Sequence, residues 1–249
     1  MHIPDGFLTN GVNTPLLGAA VVAFSVAVKK VYAKLTEKAY VRKLQLATFP
    51  PIGEVSSSVR TQLSQRGQEI VLRMASLGAL IFALQMVNFP IASGTSGHLM
   101  GGVLAALTLG PAAGLIVMTV VLVVQALIFG DGGIIALGAN ILNMGIIGTL
   151  GGYAIFRFVS PGPSRRTRDL LVGTGIAAWT SVVLAALAVA FELAISGAAP
   201  LGEVLLAMGS VHVFIGIGEA LLTVAIITLL VRNRYPLALT DHENTHRDA

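Results

Sequence analysis

The chain has 249 residues, 55% of them hydrophobic and 11% charged, with a mean hydropathy of +0.82. Soluble domains carry about 25% charged residues, so this balance excludes a soluble globular domain and predicts an integral membrane protein. No cysteine is present, which excludes disulfides and thiolate metal sites, and the net charge of +4 sits in basic stretches that flank apolar spans and alternate with acids, which argues against a nucleic-acid surface.

A membrane crossing needs about 20 apolar residues. The spacing predicts crossings over 12–29 and 74–92, then a long apolar tract from 99 to 156. That tract divides at Gly110-Pro111 and at Gly130-Asp131-Gly132-Gly133, giving spans near 98–110, 112–129 and 134–157. Residues 170–195 and 204–231 supply the last two, and 98–110 is short enough to begin within the membrane. All 16 basic residues fall between Lys29 and Arg73, between Arg157 and Arg168, or from Arg232 onward. Positive charge stays on the cytoplasmic side. The expectation is an all-α polytopic membrane protein, a seven-transmembrane-helix bundle with its N-terminus outside and its C-terminus inside. One integral membrane domain would cover 1–249, with an N-terminal segment at 1–11, an extended cytoplasmic loop at 30–73 and a cytoplasmic tail at 235–249. The loop carries Phe49-Pro50-Pro51 and Ser56-Ser57-Ser58 and reads as solvated, with contact to anionic membrane lipid or a partner as the alternative. The N-terminus lacks the basic start and small-residue cleavage site of a signal peptide.

The outer face then receives 1–11, 91–98, 130–133 and 196–203. These pieces carry His2, Asp5, His98, Asp131 and Glu203 without a lysine or arginine. A free amine followed by His2 is a compact chelator: the amine, the His2 amide nitrogen and its ring Nδ1 close a five- and a six-membered ring on one ion. The amine has a reference pKa of about 7.7–8.0, so a metal displaces its proton at little cost. Planar nitrogen ligands suit Ni(II) or Cu(II), whereas Zn prefers a tetrahedron and Mg or Ca prefer oxygen. His98, in a loop with Gly94 and Gly97, is the candidate fourth nitrogen. Each feature also has a plainer reading. His98 can satisfy loop carbonyls, Asp131 can serve a turn, and Asn88, Gln125, Asn140 and Asn143 can be helix contacts. His212 and Glu219 share a helical face at i and i+7 and read as a polar core pair rather than as ligands.

Four stretches together resemble a known family. MHIPDGFL at the start, NFPIASGTSGHLMGG at 88–102, QALIFGDGGIIALGANILNMGIIG at 125–148 and VHVFIGIGEALLT at 211–223 are similar to the CbiM/NikM family. Its members are the substrate-capture (S) components of energy-coupling-factor (ECF) cobalt and nickel transporters. The resemblance implies an S-component bundle with one added N-terminal helix, whose leading segment tucks into the outward mouth. It implies that Met1, His2 and His98 hold the metal. Asp5, Asn88, Thr95, Ser96, Asp131 and Asn140 are then candidates to orient the loops and rings around it. It also implies a prokaryotic plasma membrane location and several partners: a transmembrane coupling (T) subunit, two ABC-type ATPase subunits and a small accessory membrane subunit. The loop at 34–73 is longer than the family pattern. The dipeptide Gly-Lys is absent, so there is no P-loop and no ATPase of the chain's own. The expected role is a transporter subunit, not an enzyme, with Co2+ or Ni2+ as cargo and no cofactor of its own. A passive channel or secondary transporter is one alternative. An intramembrane metalloenzyme built on His212 and Glu219 is another, weakened by the lack of HExxH.

Overall fold

The computed structural model describes residues 1–42, 57–91, 96–162 and 166–238. Helix α1 (Asn10–Leu35) leads into strand β1 (Thr36–Arg42), which pairs antiparallel with β2 (Ser57–Leu63). Helix α2 (Gln65–Gln85) is followed by the short antiparallel pair β3 (Asn88–Pro90) and β4 (Ser96–His98). Then come α3 (Gly102–Leu109), α4 (Pro111–Phe129), α5 (Leu137–Val159), α6 (Thr167–Ile195) and α7 (Leu201–Arg232).

Six of these helices are long and apolar enough to cross a membrane, and α3 is not among them. Its eight residues rise about 12 Å, far less than the roughly 30 Å of a hydrocarbon core. The crossing expected at 98–110 is instead an extended segment and a short helix. Residues 102–108 are all buried, so irregular backbone at this point is covered by protein, the condition under which a membrane interior tolerates it. Gly110, at φ +87°, is the single residue between α3 and α4, and Pro111 opens α4 where a missing N–H costs nothing.

Helix α2 starts nine residues before its expected span and ends seven before it. Ser64 caps its start by accepting from the Gly67 amide at 3.0 Å, and the pairing of Asn88 with His98 ends the helical run at its other side. The segment read as a solvated loop at 30–73 continues α1 and α2 as paired strands, in register from Thr36↔Leu63 to Arg42↔Ser57. Phe49-Pro50-Pro51 and Ser56, like the tail from 239, lie outside the described residues.

The interior is built on small residues. Ala177, Ala178, Ala185, Ala186 and Ala190 of α6 are fully buried, and the Trp179 indole N–H donates to Val213 O on α7 at 3.2 Å. Without a strong hydrophobic drive between helices in lipid, such close approach supplies the packing energy. At the centre, Gly102 of α3 meets Gly148 of α5: a Cβ on Gly102 would lie 2.7 Å from the Gly148 carbonyl. Gly102→Val therefore forces two backbones apart. Overpacking of this kind costs about 1–3 kcal/mol, and thermal unfolding in detergent should show a clearly lowered midpoint. An unchanged midpoint would refute the contact.

Candidate metal centre

The first residues of the chain are held by the turn that opens α5. The Asp5 carboxylate accepts three successive amides, from Ile134 (3.1 Å), Ile135 (2.8 Å) and Ala136 (3.1 Å). These are the orphan donors at a helix start, where an anion is favoured. Two residues earlier, the Ile3 backbone is clamped on both sides. Its N–H donates to Asn140 Oδ1 at 2.8 Å, while its carbonyl accepts from Asn140 Nδ2 at 3.2 Å and from the Gly133 amide at 2.9 Å. The close approach requires glycine: a Cβ on Gly133 would lie 2.5 Å from the Asp5 nitrogen, and one on Gly132 (φ +93°) would lie 3.1 Å from His2 Cδ2. The effect is that Met1 and Ile3 are 0% exposed and His2 3%.

His98 arrives from the opposite side. It is 0% exposed, and its Nδ1–H donates to Leu99 O at 2.7 Å, a tautomer assigned from that contact. Its Nε2 lone pair is left bare and buried. The residues that follow are fixed from two helices. The Met100 carbonyl accepts from Gln85 Nε2 of α2 at 2.7 Å, and the Met100 and Gly101 amides donate to the Glu219 carboxylate of α7 at 2.8 and 2.7 Å.

These two supports bring Met1, His2 and His98 together. The His2 and His98 rings stack with centroids 4.6 Å apart, and the Met1 amine donates to Ser96 O. Burial pushes that amine from 8.0 down to about 4, against the pull of the Asp131 carboxylate. Burial lowers His2 as well, with Asp131 opposing, and burial drives His98 well below its usual range. The His2 ring at 3.1 Å keeps Asp131 below the usual carboxylate range. Three neutral nitrogen bases therefore face one another in a nearly dry pocket. Among the described residues, no three His, Cys, Asp or Glu side chains cluster as a metal site. The further nitrogens beside the two rings are main-chain ones, the amine and the His2 amide.

One feature differs from the expected chelate. His2 Nδ1 lies 3.1 Å from Asp131 Oδ1, turned to the carboxylate without a well-aligned hydrogen bond, and Nε2 is bare as well. Using Nδ1 as a ligand requires the ring to turn about χ2.

The other candidates are placed as follows. Asp5, Ser96, Asp131 and Asn140 all touch the docked segment. Asn88 is exposed and reaches the site only through its strand pairing with His98. Thr95 lies outside the described residues. His212 and Glu219 are each engaged elsewhere: His212 Nδ1–H donates to Met208 O at 2.8 Å, and Glu219 takes the two amides. Gln125, read as a helix contact, is wholly buried beside His2, and its carbonyl accepts the Asp131 amide at 3.0 Å. Gln85 carried no motif. The signal for it is a buried amide within an apolar helix, which always needs a partner.

The sequence model of one family, the CbiM cobalt uptake substrate-specific transmembrane region, matches residues 52–237. A Haloquadratum walsbyi protein provisionally named for metal transport is 37% identical over 248 residues, 99% of this chain and 97% of that one. The fused nickel transport protein NikMN of Rhodobacter capsulatus is 30% identical over 94% of this chain, and the match covers 62% of that longer protein. The cobalt transport protein CbiM of Limosilactobacillus reuteri is 31% identical over 64% of this chain and 66% of its own. A crystal structure of a transition metal transporter superposes with a TM-score of 0.75 at 30% identity, covering 99% of this chain and 100% of that one. With a family match over most of its length and helices apolar enough to span a bilayer, the chain belongs to the CbiM family of cobalt and nickel transport membrane proteins.

Proposed function

We propose that this chain is the substrate-capture subunit of an ATP-dependent ECF-type importer of divalent nickel or cobalt, and that it binds the ion through the Met1 amine, His2 and His98. The observation that carries this reading is the buried amine. A chain terminus that is 0% exposed, neutral, and set against an imidazole with a bare Nε2 has no better use than coordination. Relatives named for nickel and for cobalt transport support the choice of cargo.

In this reading the N-terminus faces outward and the C-terminus inward, in keeping with the map of basic residues; six long helices alone would return the chain to its starting side, so the extended segment from Ser96 together with α3 makes the seventh passage. The ion sheds water at the mouth. The amine releases the Ser96 carbonyl to bind it, the His2 ring turns to present Nδ1, and His98 contributes Nε2. Asp131 then accepts the N–H at the far side of the His2 ring, the usual carboxylate support for a ligating histidine. Asp5 and Asn140 hold the segment in place while the ion binds. Having no P-loop, the chain depends on a coupling subunit and two ABC-type ATPases, with a small accessory membrane subunit, to open the site inward. A metalloenzyme reading is disfavoured because Glu219 is already committed to two backbone amides.

Three outcomes are expected. Adding one residue before Met1, or acetylating the amine, should abolish the high-affinity Ni2+ and Co2+ binding of the purified chain while the chain still folds; undiminished affinity would defeat the reading. His98→Ala should weaken binding at least as much as loss of a ligand-supporting group does, on the order of 100-fold, by isothermal titration. Asp5→Asn removes the charge from three charge-assisted hydrogen bonds, each worth about 1.5–3 kcal/mol. It should loosen the N-terminal segment, seen as faster amide exchange at Ile134–Ala136, and weaken metal binding without touching a ligand.

A further inference from the structure

Helix α7 presents a nitrogen that the outer site does not use. His212 is 0% exposed, and its Nδ1–H is taken by Met208 O at 2.8 Å, which leaves Nε2 as a buried lone pair without a donor. Buried acceptors of this kind are rare without a reason. The Met208 bond returns to the same helix, so it sets the tautomer without tying α7 to a neighbour. A leucine would pack as well.

His212 also stands against the residue before His98. A Cβ on Gly97 would lie 3.6 Å from His212 Nε2 and 2.5 Å from Ile215 Cδ1, so glycine is what lets β4 lie on α7 here. Two turns further along, Glu219 holds the Met100 and Gly101 amides. The segment from Gly97 to Gly101 is thus fixed to α7 at both ends. Met1 and His2, by contrast, are fixed to the start of α5 through Asp5 and Asn140. The donors of the outer site are divided between two supports, and of the three imidazoles with bare Nε2 atoms, His98 and His212 ride on the same one while His2 rides on the other.

The geometry points to a second, inner metal site in which the Nε2 atoms of His98 and His212 receive the divalent nickel or cobalt ion when the N-terminal segment withdraws. His98 is common to both sites, so the ion changes partners without being set free, and water completes its shell. Imidazole nitrogen is an accepted ligand for both metals. This inference rests on the outer site proposed above, and the two can fail separately.

The test uses the purified full chain extended by one residue before Met1, which disables the outer chelate, titrated with Co2+ and read by ligand-field absorption. One weaker site with imidazole ligation is expected to remain, and adding His212→Ala or His98→Ala should each erase it. Absence of residual binding, or residual binding that survives His212→Ala, overturns the inner site. If the extended chain binds as tightly as the native one, it is the outer site that fails. In a second arm, His212→Leu on the native N-terminus, which keeps the side-chain volume, should retain the high-affinity outer site in an Ni2+ titration but slow nickel uptake by the assembled transporter by about tenfold or more, the scale on which metal-supporting residues act. Unchanged uptake also overturns it.

Discussion

Everything at the outer end depends on burying an amino terminus. Removing a charged ammonium from water is expensive, and the group responds by giving up its proton, with its pKa pushed down to about 4. The structure meets the cost of ordering this segment elsewhere, through three amides on Asp5 and the two-sided clamp of Asn140 on Ile3. A neutral amine whose partner is one carbonyl is an under-satisfied base. In the proposed reading it gains most by meeting a cation, and the segment would be preorganised before the ion arrives.

The parts of this arrangement that the sequence reveals are those carried by composition and local pattern. The spans at 112–129, 170–195 and 204–231 lie within α4, α6 and α7, because a long apolar run with a Gly-Pro, Gly-Asp or charged boundary has few other solutions. The form of the stretch at 98–110 is not legible, because hydropathy cannot separate a lipid-facing helix from extended backbone and a short helix buried in protein. Strands β1 and β2 are missed because polar residues in Thr36–Arg42 and Ser57–Leu63 give no apolar alternation to read. At the candidate site, chelate chemistry and motif resemblance single out His2 and His98, and the structure brings those two rings together. The tasks of Asp5 and Glu219 are not, because their partners are backbone amides more than a hundred residues away. Helical spacing places Glu219 on the face of His212, but it says nothing of which loop folds against that face.

The distribution of hydrogen bonds around the mouth also bears on which ions are accepted. Hard cations such as Mg2+ and Ca2+ are captured by free carboxylate and carbonyl oxygens. Here those oxygens are largely spoken for. Asp5 serves three amides, Asp131 serves His2, Glu219 serves two amides, and the Leu99 and Met100 carbonyls accept from His98 and Gln85. The nitrogens are treated the other way: His2 and His98 each keep an Nε2 without a partner, and the amine is neutral. Under the proposed site, selectivity for nitrogen-seeking ions would follow from assigning the acidic groups to the scaffold and leaving the bases unassigned. The same carboxylates that would attract Mg2+ as free groups instead aim the nitrogens, so one set of hydrogen bonds both builds the nitrogen site and withholds the competing oxygen site.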